Sequence, residues 1–575
     1  MAMILLERQN MKGDYKKMKT DSLKNIKLLI ILLMLTSTLA ACVQKSSNDG
    51  ETTTEDGKPI INIGRSTGSN PKLPEGDTFE DNAYTRVAEE VLDIEIRNAF
   101  EAEGEDYNRQ VALAISSGDL PDMMIVSREE LKDLVDNDLI EDLSDVYEEN
   151  ASDYIKETYA TYDNQPLEDA TFEDSLMALP GTESLAAPQM VWIREDWLEE
   201  LDLSIDEDGD SLITLDELEE VAKSFIENDP GDSGNPVGIP FENYLNAGDY
   251  GSFTMNSIAA VYEGQPKKYL IEEDGSISYG STSEGTKQAL ELMNDWFEEG
   301  IIDPQFGTRS FDDIMALLTN GQTGIATGPW HIPDWGLSNI REMDNDARFT
   351  AYALADDEGK VNVPEQKTTG SNFIVVRKGY EHPEKAVEML NLFYDDIENT
   401  TEEDMENTFP EVAEYLEQGV DDSTKPFNIV VLPMQTYLDD YQDVQAVLNE
   451  EMAVEEITNP QVRQSINGIE NYTENPEDAP TSNWSSYHSR IVGWGLMNKL
   501  TEEERFNWVE AAYVVNTPTM EQKGANLTKL EEEDFIKIIT GAEPVDYFDT
   551  FVDNWHNQGG NEILDEIEEE LTQQE

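Results

Sequence analysis

Cysteine is almost absent: one residue, Cys42, in a chain of 575. A single thiol excludes an internal disulfide framework and every metal site built on several cysteines. Histidine is nearly as scarce, with four residues (His331, His382, His488, His556) and no H-E-x-x-H spacing, so the ligand set of a zinc hydrolase is missing. Cations are the third shortage. Lys and Arg number 38 against 123 Asp and Glu, a formal charge of −85. Such a chain repels phosphate backbones and anionic headgroups, which argues against nucleic acid and the bare membrane surface as partners. What is present indicates folding. Hydrophobic residues make up 38% and aromatics 9%, including nine Trp and 22 Tyr, unlike charged disordered chains. The length gives room for more than one buried core.

The N-terminus reads as an address. Residues 1–27 hold seven Lys or Arg and three acids, and the apolar run Leu28–Leu35 follows. Eight residues are too few to span a bilayer, which takes about 20. A basic stretch, a short apolar run and small residues form a secretory signal. It ends in Leu39-Ala40-Ala41-Cys42, which resembles the bacterial lipobox and uses the only cysteine. That resemblance implies lipid attachment at Cys42 and cleavage before it. Residues 1–41 are thus assigned as a lipoprotein signal peptide and the polar stretch 42–58 as a flexible tether. Removing 1–41 leaves 31 bases against 120 acids, a charge of −89.

Beyond the tether, short apolar strands alternate with amphipathic helices. Ile60–Ile63 and Met123–Val126 read as strands, and Asp81–Leu92 and Tyr107–Ser116 as helices, the latter stopped by Gly118. Further helices are expected over Gly285–Glu299, Pro383–Tyr394, Glu502–Val514 and Val545–Asn557, with strands at Thr323–Thr327 and Phe373–Val376. The alternation predicts an α/β fold with mostly parallel sheets. In such sheets the loops after the strands face the ligand crevice, which nominates Ser127 and Arg128 after Met123–Val126; for Arg128 a solvated loop is an equal reading. The segment from Asn320 to Trp330, NGQTGIATGPW, places an apolar strand between glycines and ends on an indole presented by Gly328-Pro329. An indole face complements the apolar face of a pyranose, and otherwise it packs in a core.

Six segments together carry a family resemblance. They are Tyr107–Asp122 with its SGDLPD ending, Val191–Leu198 (VWIREDWL), Glu299–Pro304, Asn320–Trp330, His382–Ala386 and Tyr547–Gly560. In this order, behind a lipobox, the chain resembles the family 1 extracellular solute-binding proteins that feed carbohydrate ABC importers. It is nearest the Gram-positive lipoproteins of the LipO type, which are related to oligosaccharide- and alginate-binding proteins. The resemblance implies a two-lobed, periplasmic-binding-protein-like type II α/β fold with the ligand cleft between the lobes. It implies a first-lobe segment at 59–185, a second-lobe segment at 186–355, a return to the first lobe at 356–400, and mainly helical second-lobe and hinge-crossing segments over 401–575. Trp330 becomes the leading ligand contact, with His331 and Trp335 beside it. Trp192 and Arg194, Tyr84 and Arg86, and Asn243 and Tyr244 complete the candidate lining. For Tyr84 and Arg86, capping or interface roles weigh equally.

One metal pattern stands apart. In Asp206–Glu217, the acids Asp206, Asp208, Asp210 and Glu217 occupy positions 1, 3, 5 and 12 of an EF-hand-type loop, and Leu212 offers the carbonyl of position 7. Ser211 replaces the usual glycine at position 6. A capping box of Thr214 and Glu217, opening a helix at Leu215, explains the same residues, and both can hold at once. Structural Ca²⁺ is therefore possible, and no cofactor is required.

The expected function is capture of an oligosaccharide at the extracellular face of the membrane and its delivery to ABC permease subunits, with no catalysis. The chain is held to the membrane by lipid alone; the resemblance suggests a monomer. The alternative is a secreted glycan-cleaving enzyme using a carboxylate pair, separable by the appearance of new reducing ends. A charge of −89 on a folded chain also points to life in a saline medium. Like charges destabilise a compact state at low ionic strength, and molar salt shortens the Debye length to about 3 Å. With chelator present, the urea midpoint should rise from low salt to molar NaCl; a flat or falling midpoint would overturn the saline assignment.

Overall fold

The computed structural model describes residues 52–68, 71–182, 187–206, 209–243, 245–246, 252–272, 274–365, 369–418, 420–512 and 517–574. The expected signal peptide, Cys42, Asp208 and Tyr244 lie outside the described residues. The chain divides into two units, 1–60 and 61–575. In the first, the described end of the tether forms a turn. Thr54 N donates to Lys58 O at 2.9 Å and Gly57 takes φ 88°, a conformation that favours glycine.

The second unit holds two lobes. The first is built on a five-stranded sheet in the spatial order Glu95–Glu103, Ile60–Thr67, Met123–Val126, Thr369–Val376, Leu179–Thr182. Ile63 lies opposite Met123 in parallel register, while Phe373 faces Val126 and Val376 faces Met123 in antiparallel register. The sheet is therefore mixed, where the helix–strand alternation led us to expect mostly parallel strands. The strand Thr369–Val376 re-enters from the other lobe instead of through a local helical crossover, so nothing imposes the parallel sense. The flanking helices start and stop as their ends dictate. Asn82 caps Ala83–Val91 in a capping box with Thr85, and Gly118 at φ 70° ends Gly104–Ser117. Buried residues from Ile61 to Leu179 and from Phe373 to Val431 form one core.

The second lobe has a four-stranded sheet ordered Ile325–Gly328, Met190–Arg194, Phe349–Leu354, Leu212–Ile213. Its helices bury two further clusters that draw on residues from Met190 to Val363 and from Leu438 to Ile567. Glu531, fully buried on the helix Pro518–Ile539, accepts hydrogen bonds from Tyr279 at 2.8 Å, from Ser281 at 2.9 Å and from Asn246. Three donors on one carboxylate fasten that helix to the body of the lobe. One expected helix is wrong. Over Glu502–Val514 the structure has the end of a helix, Trp494–Glu502, and then a strand, Phe506–Glu510. The aromatic and β-branched sequence FNWVE pairs in parallel with Val361–Glu365, and that distant partner overrides the local helical period.

The chain crosses between lobes three times, after Thr182, after Glu365 and after Val431. Thr182 joins two crossings. Its N–H donates to Val430 O at 2.7 Å, its hydroxyl donates to Leu432 O at 2.9 Å, and Leu432 N donates back to that hydroxyl at 2.8 Å.

Candidate functional site

The strand Ile325–Gly328 runs antiparallel to Met190–Arg194, pairing Gly328 with Met190 and Ile325 with Ile193. Gly328-Pro329 then turns the chain and delivers Trp330. The buried Trp192 supports this turn by donating Nε1–H to Pro329 O at 3.3 Å. Trp330 is 7% exposed and sits in an aromatic cluster. Its ring centroid lies 4.7 Å from Tyr437, 5.2 Å from Trp494 and 5.0 Å from His331. Gly493 permits this approach, because a Cβ there would stand 2.8 Å from Trp330 O.

Two π-helical segments meet beside the cluster, Pro333–Leu337 and Tyr487–Gly493. Such insertions re-aim side chains and recur at functional sites. Here they bring Asp334 to Arg490, whose Nη1 donates to both carboxylate oxygens at 2.8 and 2.7 Å. The Arg490 Cζ lies 5.9 Å from the Trp330 ring and 5.5 Å from that of Trp494. Trp335 is 42% exposed and donates Nε1–H to His331 Nδ1 at 2.9 Å. Burial pushes the His331 imidazole below its usual range, and Arg490 adds to this against the pull of Asp334. A neutral His331 keeps Nδ1 as an acceptor, which matches its bond to Trp335.

Arg490 also lines a cavity of 730 Å³ whose walls come from both lobes. Met405, Val420 and Asp421 stand on one side, and Gln464, Asn483 and Ser486 on the other. A second cavity of 1370 Å³ lies on the first lobe at the carboxyl ends of the strands Ile60–Thr67 and Met123–Val126. Ser66, Tyr107, Ser127, Asn372 and Asn428 give it hydroxyl and amide groups. Its Glu129 meets Glu521 of the second lobe; burial first, then this neighbour, pushes the Glu129 carboxyl up. Two polar hollows, one of them shared between lobes beside packed indoles, suit a large hydroxylated ligand.

The structure brings Trp330, His331 and Trp335 together and places Ser127 at the first-lobe cavity. Ser127 is also the N-cap of Arg128–Asp136, in a capping box with Glu130. The other candidates are held elsewhere. Arg128 pairs with Asp169 at 3.4 Å. Arg194 is at the far end of its strand from Trp330, buried over the Trp197 ring and paired with Asp196 and Asp344. Tyr84 packs edge-on to Phe393 and Tyr415 inside the first core. Arg86 holds Asp77, Asp81 and Glu411. Asn243 is exposed, and its N–H is bonded to Arg309 O. Sequence pattern alone does not single out Tyr437, Trp494, Asp334 or Arg490. The Gly493-Trp494-Gly495 triplet is the one local signal, since small residues beside a Trp allow close ring packing.

The described part of the 206–217 loop turns about Asp206. Asp206 accepts from Asp210 N at 2.8 Å and Ser211 N at 3.0 Å. Ser211 takes φ 65° at the sixth position, and Leu212–Ile213 forms a short strand before the helix Leu215–Asn228. The side chains face other partners. Glu217 completes the capping box with Thr214, Asp210 meets Arg505 at 3.3 Å, and Lys499 reaches Gly209 O. Among the described residues, no three His, Cys, Asp or Glu converge as a metal site.

Comparison with known proteins gives the site its context. A family model described as bacterial extracellular solute-binding protein matches residues 70–399. Lipoprotein LipO of Bacillus subtilis (strain 168) is 23% identical over 473 residues, covering 80% of this chain and 83% of LipO. The polygalacturonan/rhamnogalacturonan-binding protein YtcQ of the same organism is 25% identical over 396 residues, 67% of this chain and 68% of YtcQ. Among solved structures, an EF-hand mutant of the S. pneumoniae ABC-transporter substrate-binding protein FusA, in complex with fructo-nystose, superposes with a TM-score of 0.57. It is 15% identical and covers 89% of this chain and 99% of its own. Among the described residues, no helix is long and apolar enough to cross a membrane.

One acid beside the cluster is strongly perturbed. Burial, then Asp443 and Asp439, push the half-buried Asp440 up to about 7, against the Asn459 amide and Arg490. An acid raised above its unfolded value of about 3.9 costs stability as pH climbs from that value to the folded one. Asp440→Asn should therefore melt higher than the parent at pH 8, with the difference vanishing near pH 4. A difference independent of pH would refute this assignment.

Proposed function

Because the chain belongs to the bacterial extracellular solute-binding proteins, we propose that it captures an oligosaccharide between its lobes and delivers it to the permease of an ABC importer. The carrying observation is the aromatic cluster of Trp330 with the stacked pair Tyr437 and Trp494, beside a two-lobed polar cavity. Indole and phenol faces take the C–H face of a sugar, and surrounding amides and carboxylates take its hydroxyls. Closing the lobes on the ligand would bend the chain at the crossings tied by Thr182 and form the surface that the permease reads. Lipid on Cys42 would hold this monomer to the outer face of the membrane, with residues 43–58 as its tether. The protein's part is capture and release without chemistry.

We also propose that the 206–217 loop takes structural Ca²⁺. Asp206, Asp208, Asp210, Glu217 and the Leu212 carbonyl would hold it, supported by the left-handed Ser211 and the two N–H bonds to Asp206. The ion would neutralise clustered carboxylates and stiffen the entry to the helix Leu215–Asn228, releasing Lys499 and Arg505 from the loop.

Trp330→Ala should weaken binding of the transported sugar about thirtyfold, since truncating an aromatic anchor costs about 2 kcal/mol. Calorimetric titration checks this; unchanged affinity with a lowered melting temperature would make Trp330 a core residue only. For the loop, chelator should lower the melting temperature, and Glu217→Gln should remove that response. Identical melting curves with and without chelator would leave the capping box as its whole role.

A further inference from the structure

The cleft carries an excess of acid that its own cations do not offset. Four carboxylates line the cavity shared by the lobes: Glu402, Glu406, Asp421 and Asp422, of which Asp422 is paired with Lys425 at 3.3 Å. Two cations line it, Arg463 and Arg490, and both have structural work. Arg490 is clamped on Asp334 and faces two indoles. Arg463 is buried, and its Nη1 donates to Thr400 O at 2.9 Å, to Thr458 O at 3.0 Å and to Ile457 O. The first-lobe cavity adds Glu129, Glu130 and Asp133, and none of its described lining residues is Lys or Arg. Arg65, next to Ser66, is fully buried behind the strand and donates to Thr424 O, so it does not face that cavity.

An acidic sugar entering this cleft would bring like charge into a space that closure dries, where salt screens least. Recognition of a uronide needs planar Arg forks, and the two that line the shared cavity already donate through Nη1 to oxygens of the protein. Carboxylates are strong acceptors for the donors that a neutral sugar carries in quantity, its hydroxyls. We propose that the captured glycan lacks anionic groups and that the cleft carboxylates bind its hydroxyls while rejecting polyuronides. This rests on the capture reading above, and it parts this chain from its polygalacturonan-binding relative.

The test is calorimetric titration of the purified protein with two sets of tetrasaccharides. One set is neutral (α- and β-glucan, fructan, xylan, arabinan, galactan), and the other is tetragalacturonate and tetraguluronate. Each is run at 0.1 M and 1 M NaCl. The expected result is saturable binding of a neutral tetrasaccharide, with both uronides at least a hundredfold weaker at either salt. In the double variant Glu406→Gln, Asp421→Asn, uronide affinity should rise at least tenfold. A uronide that binds as tightly as the best neutral sugar would overturn the charge filter and leave sugar capture standing. So would unchanged uronide affinity in a folded double variant. Failure of every sugar in both sets to bind would remove the capture reading itself, and the filter with it.

Discussion

The scarcity of cations governs how this molecule is assembled. With 38 bases for 123 acids, one cation often serves several carboxylates. Arg86 holds three acids, Arg194 holds two, and the buried Lys425 sits between Glu398 and Asp422 under the rings of Tyr84 and Tyr394. Burial drives up the Glu398 carboxyl, and the ammonium beside it pulls the other way. Pairs this deep cost desolvation and act through specific geometry more than through net stabilisation. These cations seat helices and loops, and of the acids that line the shared cavity Asp422 has one of them as its partner.

A second constraint is the close packing around Trp330. The indole is placed by three features far apart in sequence: the Gly328-Pro329 turn, the Trp192 bond beneath it, and the absence of a side chain at Gly493. The π-helical segments supply what regular helices would not, a shift that brings Asp334 and Arg490 onto one spot. Ring contacts and the clamped guanidinium pack this wall closely, while Thr182 ties two of the crossings between lobes.

Much of this was legible in the chain. Met123–Val126 forms a strand over those same residues, and Gly118 stops its helix in the left-handed conformation expected of it. The Gly-Pro-Trp segment read as a presented indole because glycine and proline limit the backbone locally. The arginines were misleading for a physical reason. A guanidinium in sequence looks the same whether it will meet a ligand or a carboxylate folded against it. Arg194 has Asp196 two residues away, but its second partner, Asp344, lies 150 positions on.

The sequence by itself determined the charge, the alternation of helices and strands, and the family. These depend on composition and on neighbours within a few positions, where period, capping and motif order act. Tertiary structure alone decided which side chains share a wall. It made the sheets mixed, turned FNWVE from expected helix into strand through its partner Val361–Glu365, and gathered Trp330, Tyr437 and Trp494 from three segments. It also decided which acids find distant cations, as Asp344 finds Arg194, because no local pattern encodes such pairs.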